Sequence, residues 1–278
     1  MTTAAEALVA ATARLRAAGV ADPARDARLL LAHAAQVDAA RVTLITPEDI
    51  APEIAERYDH LVALRAVRVP VSQLIGSREF YGRRFDISSQ VLDPRPETET
   101  LIEVSLSAPF DTVLDLGTGS GCVIVTLLAE RPDASGIGVD ISEAACLQAS
   151  ANAVLHTVAD RLSIQQSDWF TAVEGRFDLI VSNPPYLAAA EMDTVQPELR
   201  DHEPRIALTD DADGLTAYRH IAEHAQGYLN AEGRVNVEIG WQQGRAVSDI
   251  FRAQGWGDVA ILPDLGGRDR VVSASKPG

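Results

Sequence analysis

A glycine-rich segment near the middle of the chain has the composition of a ligand-binding loop. The segment Asp115-Leu116-Gly117-Thr118-Gly119-Ser120-Gly121 follows an apolar run typical of a strand and precedes a helical pattern. Glycines there let the backbone turn tightly and approach a ligand closely. A dinucleotide fingerprint has the spacing G-x-G-x-x-G, and its third glycine would fall at Cys122. The spacing therefore disfavours a dinucleotide, while another nucleotide cofactor and a purely structural turn stay open.

Acidic and aromatic residues follow the next two predicted strands. Asp140 ends the segment GIGVD, where a carboxylate can accept hydrogen bonds from two ribose hydroxyls. Taken alone, Asp140 could instead cap the helix that begins after Ser142. Asp168 and Trp169 follow the third strand, and their carboxylate and flat ring suit the amino group and face of an adenine. Core packing is the alternative for Trp169, and more so for Phe170.

The sequence Asn183-Pro184-Pro185-Tyr186 directly follows the apolar strand FDLIVS. The two prolines fix the backbone and cannot extend the strand, and Pro184 holds Asn183 in an extended conformation. The result is a rigid turn that offers carbonyl oxygens, an amide oxygen and an aromatic face. Its position after a strand of a sheet that also carries the glycine loop favours a catalytic role over a simple turn.

The glycine loop resembles that of S-adenosylmethionine-dependent methyltransferases, and the Asn-Pro-Pro-Tyr turn resembles that of members acting on planar nitrogen. These members include nucleic-acid adenine and guanine methyltransferases and protein glutamine methyltransferases. Further segments are similar to the release factor glutamine methyltransferases, and the resemblance covers nearly the whole chain. These segments are Val91–Glu99, Glu203–Leu208, Asp213–Leu215, Tyr218-Arg219, Glu238–Gly240 and Gln243-Gly244. Asp93 departs from the family pattern, where we expect an apolar residue, and this puts the local hairpin packing in question.

This resemblance implies a function and assigns roles to residues. S-adenosylmethionine would bind at Gly117 to Gly121, Asp140, Asp168, Trp169 and Asn183. Asn183, Pro184, Pro185 and Tyr186 would form the catalytic turn. The substrate would be the glutamine of the Gly-Gly-Gln loop in bacterial peptide-chain release factors, and the product N5-methylglutamine. A nucleic-acid adenine or guanine methyltransferase is the alternative.

The predicted elements place these motifs in an α/β domain. From Asp111 onward strands alternate with helices, which indicates a parallel, Rossmann-like sheet of the class I methyltransferase type. Residues 1–72 have helical spacing and predict a small helical domain for substrate recognition, with Thr46-Pro47 as a helix start. Residues 73–95 predict a β-hairpin linker that turns at Gly82. Residues 96–278 form the predicted methyltransferase domain.

Composition and charge restrict the partners. The formal net charge is −16, which argues against a protein that binds naked nucleic acid through phosphates, although a local basic patch around Arg65, Arg68, Arg83 and Arg84 stays possible. The two cysteines, Cys122 and Cys146, fall in predicted helices, where we expect buried apolar residues and a reduced, cytoplasmic protein. We expect no membrane span, no signal peptide and a monomer, although no motif specifies the oligomeric state.

One competing motif points to a different class of enzyme. His220-Ile221-Ala222-Glu223-His224 matches the H-x-x-E-H pattern of a zinc peptidase class, and histidines four residues apart on a helix can share a metal. The same spacing arises by chance on helix surfaces. We therefore expect a solvated or half-buried helix face and no metal.

Overall fold

The computed structural model describes residues 3–277, which divide into two compact units. The first unit contains the chain up to Ser77 together with Gln196–His202. Its helices are α1 (Ala4–Ala17), α2 (Pro23–Ala35), α3 (Val42–Ile45), α4 (Pro52–Ala66), α5 (Val71–Ile75) and, from the later segment, α9 (Pro197–His202). Helix α1 begins with a capping box, in which Thr3 and Glu6 each accept the backbone N–H of the other. The helical nature of the predicted N-terminal domain is confirmed, and its role in substrate recognition stays a prediction.

The predicted helix start at Thr46-Pro47 is wrong. Helix α3 ends at Ile45, and the next helix begins only at Pro52. The Thr46 hydroxyl donates to the Thr43 carbonyl at 2.7 Å, so it stabilises the turn before it and does not cap a helix after it. The local Thr-Pro pattern does not distinguish these two uses.

The first unit buries a network of charges that includes a residue from the distant segment. Arg65 binds Asp26 at 2.7 Å and Glu198 at 2.8 Å, and Arg68 binds Glu198 at 2.6 Å. The four side chains are between 7% and 19% exposed. Arg65 and Arg68 are thus neutralised within the helical unit and do not form the basic patch that the sequence left open.

The second unit begins with the predicted hairpin. Strands β1 (Ser77–Phe80) and β2 (Arg83–Asp86) are joined by Tyr81 and Gly82. Both turn residues have positive φ, 49° and 68°, as a tight two-residue hairpin turn requires. Phe80 and Phe85 are buried and pack edge to face, which attaches the hairpin to the core of this unit.

A seven-stranded sheet forms the centre of the second unit. Its strands are β3 (Thr112–Leu116), β4 (Ser135–Asp140), β5 (Leu162–Gln166), β6 (Phe177–Ser182), β7 (Leu229–Glu238), β8 (Gly257–Pro263) and β9 (Asp269–Ser275). Their order is β5-β4-β3-β6-β7-β9-β8, with the first five parallel and the last two antiparallel to their neighbours. The predicted Rossmann-like class I methyltransferase fold is confirmed.

Helices cover both faces of this sheet. They are α6 (Glu99–Leu106), α7 (Cys122–Glu130), α8 (Glu143–Leu155), α10 (Thr216–His224) and α11 (Gly244–Ala253). Cys122 and Cys146 are buried and free, as predicted. Among residues 3–277, no helix is both long and apolar enough to span a bilayer.

The strand order fixes where a ligand can bind. From β3 the chain proceeds outward through β4 and β5, then returns to place β6 on the other side of β3. Open α/β sheets bind ligands at such a switch point, beyond the carboxyl ends of the strands. Leu116 pairs with Val139 on one side and Ser182 on the other, so the loops after β3, β4 and β6 leave the sheet at one edge.

Candidate active site

A cavity of about 380 Å³ opens at this edge within the second unit. Eight of the nine predicted cofactor-binding residues line it: Gly117, Thr118, Gly119, Ser120, Asp140, Asp168, Trp169 and Asn183. Pro185 also lines the cavity, whereas Pro184 and Tyr186 lie outside its lining. The structure therefore brings together motifs that are up to 68 residues apart in the chain, as Asn183 and Asp115 are.

The glycine loop is shaped by backbone conformation. Gly117, Gly119 and Gly121 all have positive φ. A Cβ at Gly117 or Gly119 would meet no protein atom within 4 Å, so both face open space beside the cavity. Gly121 does not line the cavity. Its Cα faces helix α8, and a Cβ there would lie 3.1 Å from Ala149, so this glycine serves close helix packing.

Asp140 connects the glycine loop to the loop after β4. One carboxylate oxygen accepts the Gly119 N–H and the other accepts the Ser142 N–H, both at 2.9 Å. The Ser142 hydroxyl accepts the Ala145 N–H and itself caps helix α8. Asp140 is therefore not the helix cap, and each of its oxygens keeps a lone pair for a ligand hydroxyl.

Asp115 is a buried acid at the base of the cavity. Its carboxylate accepts the Thr118 hydroxyl at 2.8 Å. Burial, with a smaller contribution from the negative charge of Asp140, raises the pKa of Asp115 to about 7. The group is thus largely neutral below pH 7, which limits charge repulsion with Asp140 beside the glycine loop.

The aromatic pair after β5 divides into a lining residue and a core residue. Trp169 is half-buried, lines the cavity and has a φ of 50°, a strained value for a bulky side chain. Phe170 is buried and stacks on Tyr228 at 4.7 Å between ring centroids. Phe170 is therefore a core residue, whereas Trp169 lines the cavity.

The histidines of the zinc peptidase motif pack against this aromatic group. The rings of His220 and His224 stack at 4.4 Å, and His220 lies 5.8 Å from the Trp169 ring. Burial, and the neighbouring His224, lower the pKa of His220. Within residues 3–277, no three His, Cys, Asp or Glu side chains are grouped as metal ligands.

The Asn-Pro-Pro-Tyr turn is held rigidly from behind. The Tyr186 carbonyl accepts the Gln243 side-chain N–H at 2.8 Å, and a Cβ on Gly214 would lie 2.4 Å from that carbonyl. Gly214 and Gln243 both lie in segments that resemble the family. Their contacts with the Tyr186 carbonyl support the turn, which accounts for these residue types at the two positions. Burial raises the pKa of Tyr186 to about 12, so its hydroxyl stays protonated.

Asn183 lines the cavity, and its side-chain oxygen has no hydrogen-bond partner in the protein. Its side-chain nitrogen donates to the Thr98 hydroxyl at 3.2 Å, while its side-chain oxygen is buried and has no partner. Buried polar atoms are nearly always hydrogen-bonded, so an orphan acceptor beside a cavity indicates a ligand donor. Sequence reasoning identified Asn183 but not Thr98, whose position in a helix start suggested no such contact.

Two further segments border the cavity, and the sequence-based site did not include them. One is residues 90–95, and the other contains Pro204, Ile206 and Ala207. An ion pair between Arg95 and Glu203, the residue before Pro204, connects the two segments. Asp93, the departure from the family pattern, is buried and lies 3.8 Å from Arg78, with its charge also acting on Arg95. Arg78 pairs with one oxygen of the buried carboxylate, while the other oxygen is buried without a hydrogen-bond partner.

These features fit the nucleoside part of S-adenosylmethionine. The cavity has open backbone at Gly117 and Gly119, a carboxylate with free lone pairs at Asp140, and an aromatic face at Trp169. A sheet of this topology with such a site defines a class I methyltransferase.

Comparison with known proteins identifies the family. Residues 6–76 match the PrmC N-terminal domain, and residues 80–201 match the methyltransferase small domain. The release factor glutamine methyltransferase of Cereibacter sphaeroides is 56% identical over 99% of both chains. That of Caulobacter vibrioides is 40% identical over 98% of this chain and 96% of its own. The chain belongs to the release factor glutamine methyltransferase family.

Solved structures agree on the fold. A methyltransferase from Pyrococcus furiosus aligns with a TM-score of 0.56 at 16% identity, over 72% of this chain and 91% of its own. The hMettl16 catalytic domain aligns with a TM-score of 0.59 at 16% identity, over 78% of this chain and 82% of its own. At such identity the likeness describes the architecture alone.

Proposed function

We propose that this protein transfers a methyl group from S-adenosylmethionine to the side-chain amide of the glutamine in the Gly-Gly-Gln loop of bacterial release factors. The product is N5-methylglutamine. The single observation that carries the chemical part is the buried, unpartnered Asn183 oxygen at the cavity. An amide NH₂ group is the complementary donor, and the names of the relatives supply the choice of glutamine.

Residues of the cavity would hold the cofactor in defined roles. Asp140 would accept the ribose hydroxyls, and Trp169 with Asp168 would contact the adenine. The backbone at Gly117 and Gly119 would pass close to the ligand, since both positions lack side chains there. When bound, the cofactor supplies an electrophilic methyl group on a positively charged sulfur.

The task of the protein is to orient a weak nucleophile. An amide nitrogen shares its lone pair with the carbonyl, a delocalisation that also gives the peptide bond its rotation barrier of ~18–20 kcal/mol. The Asn183 side-chain oxygen and the Pro184 carbonyl would each accept one N–H of the substrate amide. These contacts would direct the nitrogen toward the methyl donor and stabilise the positive charge that develops during transfer. Tyr186 would stack on the amide plane.

No strong base is required in this mechanism. The nitrogen carries an extra proton after it forms the new bond to carbon, and a protonated amide is acidic enough to lose that proton readily. This agrees with the position of His220, which packs on Trp169 and Phe170 and is absent from the lining of the 380 Å³ cavity.

Recognition of the release factor would fall to the helical unit. The catalytic turn suits any planar amino group and therefore does not select one protein. The helical unit matches a domain model specific to this family and provides a second surface. We expect the enzyme to act as a monomer in the cytoplasm, where its substrate works, without contacting nucleic acid directly.

Mass spectrometry of methylated products tests the proposal. The full chain is incubated with labelled S-adenosylmethionine and an intact bacterial release factor, and the modified residue is located in the digest. A release factor with the loop glutamine changed to alanine is the matched control. We expect one methyl group on that glutamine and none on the control.

Parallel reactions with DNA, RNA and a short Gly-Gly-Gln peptide measure selectivity. We expect the intact release factor to react far better than any of the three, because the short peptide lacks the second contact and the protein has a net charge of −16. A methyl group on adenine or guanine with none on the release factor would transfer the assignment to a nucleic-acid methyltransferase.

A further inference from the structure

Thr98 lies where a helix start would normally use a threonine hydroxyl as a cap. It follows the short 3-10 turn Pro96–Thr98 and precedes helix α6, yet its side chain makes no cap hydrogen bond. It is 2% exposed, so its hydroxyl must find a partner within the protein. Its backbone is in the right-handed helical region, where a side chain does not reach the N–H groups of the next turn.

The Thr98 hydroxyl is instead placed between two polar side chains. Asn183 donates its side-chain N–H to the hydroxyl oxygen at 3.2 Å. The carboxyl group of Glu238, at the end of strand β7, lies next to the same hydroxyl, which partly offsets the rise in its pKa that burial causes. Glu238 is 1% exposed, so this chain of contacts is shielded from water.

The hydrogen-bond capacities of these groups fix the direction of the chain. An amide nitrogen only donates, so the Thr98 oxygen accepts from Asn183 and its own proton is free for Glu238. A carboxylate accepts that proton. If the Asn183 amide were flipped, its oxygen would face a hydroxyl whose proton is already engaged, and two acceptors would oppose each other. The arrangement therefore holds the Asn183 oxygen on the side away from Thr98, where it has no protein partner.

We propose that Thr98 is a positioning residue that, anchored by Glu238, locks the Asn183 amide with its oxygen free to accept the N–H of the substrate. This inference rests on the proposed function, in which Asn183 orients the substrate amide. A flipped Asn183 would present two N–H groups to the amino group of the substrate and would repel it. The lock removes that unproductive orientation before the substrate binds, which is the benefit of preorganisation.

Replacement of the hydroxyl by a methyl group tests the lock. Thr98→Val keeps the shape of the side chain but removes the hydrogen bond with Asn183. We expect kcat to fall about tenfold, the effect of one lost hydrogen bond. The Kd for S-adenosylhomocysteine, measured by calorimetry, should change less than twofold. Thr98→Ser restores a hydroxyl and should recover most of the kcat. An unchanged kcat in Thr98→Val, or no recovery in Thr98→Ser, would overturn the proposal.

A double-mutant cycle separates positioning from general damage. Thr98 acts through Asn183, so Thr98→Val should cause no further loss of kcat in the Asn183→Ala background. A second tenfold loss in that background would show that Thr98 acts independently and would also overturn the proposal.

Failure of the proposed function is distinguishable from failure of this inference. If the wild-type enzyme methylates nucleic acid and not the release factor, the proposed substrate is wrong. The same variants, assayed on that planar amino group, would still decide the role of Thr98.

Discussion

The two units handle buried polar groups in opposite ways. In the helical unit, Asp26, Arg65 and Glu198 are buried and bind one another. At the catalytic cavity, the side-chain oxygen of Asn183 is buried without a partner. A buried orphan acceptor costs on the order of 1–3 kcal/mol, so a fold retains it where a ligand supplies the donor. A buried network in which the charged groups bind one another thus serves stability, whereas a buried acceptor left without a partner at a cavity serves binding.

Some buried polar atoms without a partner lie away from the cavity. Ser72, in the helical unit, also has a buried hydroxyl without a partner, and in the second unit Thr126 and Asn236 have such atoms away from the cavity. None of these three residues lines the cavity. An orphan atom therefore indicates function only when it coincides with a cavity and a supporting hydrogen bond, as it does at Asn183.

The largest expected effect is at Asn183. Asn183→Ala removes the oxygen that would accept the substrate N–H, and we expect kcat to fall by roughly 10²–10³, the scale for one preorganised transition-state partner. Cofactor affinity should fall much less. Single-turnover kinetics and calorimetry provide the two measurements. Near-normal turnover would refute the amide-orienting role.

Substitution in the buried charge network of the helical unit should lower the stability of the protein and leave catalysis unchanged. Glu198→Ala leaves Arg68 and part of Arg65 without a buried partner, and we expect a loss of about 3 kcal/mol in the free energy of unfolding. The matched control is Asp59→Ala, which breaks the exposed pair with Arg14 in the same unit and should cost less than about 1 kcal/mol. Chemical denaturation measures both, and equal losses would contradict the contrast.

Glu238 should make the stability of the protein depend on pH. Burial raises its pKa to about 7, above the ordinary value of 4.5. Between pH 4.5 and 7 the folded state therefore holds a proton that the unfolded state has lost, and the stability of the protein falls as pH rises through this range. Above pH 7 the cost of the buried charge is fully present. Below pH 4.5 it is absent.

Glu238→Gln removes this titration. We expect the variant to gain stability relative to the wild type at pH 8, by up to about 3 kcal/mol, and to gain little at pH 5. Denaturation of the ligand-free protein at both pH values measures the difference. A stability difference that is the same at pH 5 and pH 8 would mean that Glu238 is not a buried acid with a raised pKa.

Asp140 tests whether a satisfied carboxylate can also bind ligand. Asp140→Ala should weaken S-adenosylhomocysteine binding by roughly 10–100-fold, through loss of a charged acceptor for the ribose. The control is Asp178→Ala. Asp178 also accepts backbone N–H groups, from Asp111 and Thr112, but it lies at the opposite end of the sheet. The Asp178→Ala variant should lose stability and keep the wild-type Kd for the cofactor. An unchanged Kd in Asp140→Ala would mean that Asp140 only connects the two loops and does not bind the ligand.

The sequence predicted most of the sheet and the cavity but not its supports. Apolar runs and the loops after them identify β3, β4 and β6, because a parallel strand and its ligand loop are adjacent in the chain. Glu198 and Arg65 are 133 residues apart, and no local pattern links them. Thr98 was missed for the same reason, since its position predicts a helix start and only the fold brings it to Asn183.

The smallest expected effect concerns the two histidines of the zinc peptidase pattern. His220 and His224 stack on each other and on Phe170, which accounts for their spacing by packing on one helix face. His220→Ala combined with His224→Ala should leave kcat within about twofold, because the proposed transfer needs no base. Loss of the ring contact with Trp169 should affect cofactor affinity at most slightly. Elemental analysis of the purified wild type accompanies the assay, and loss of activity together with a bound zinc ion would revive the metal hypothesis.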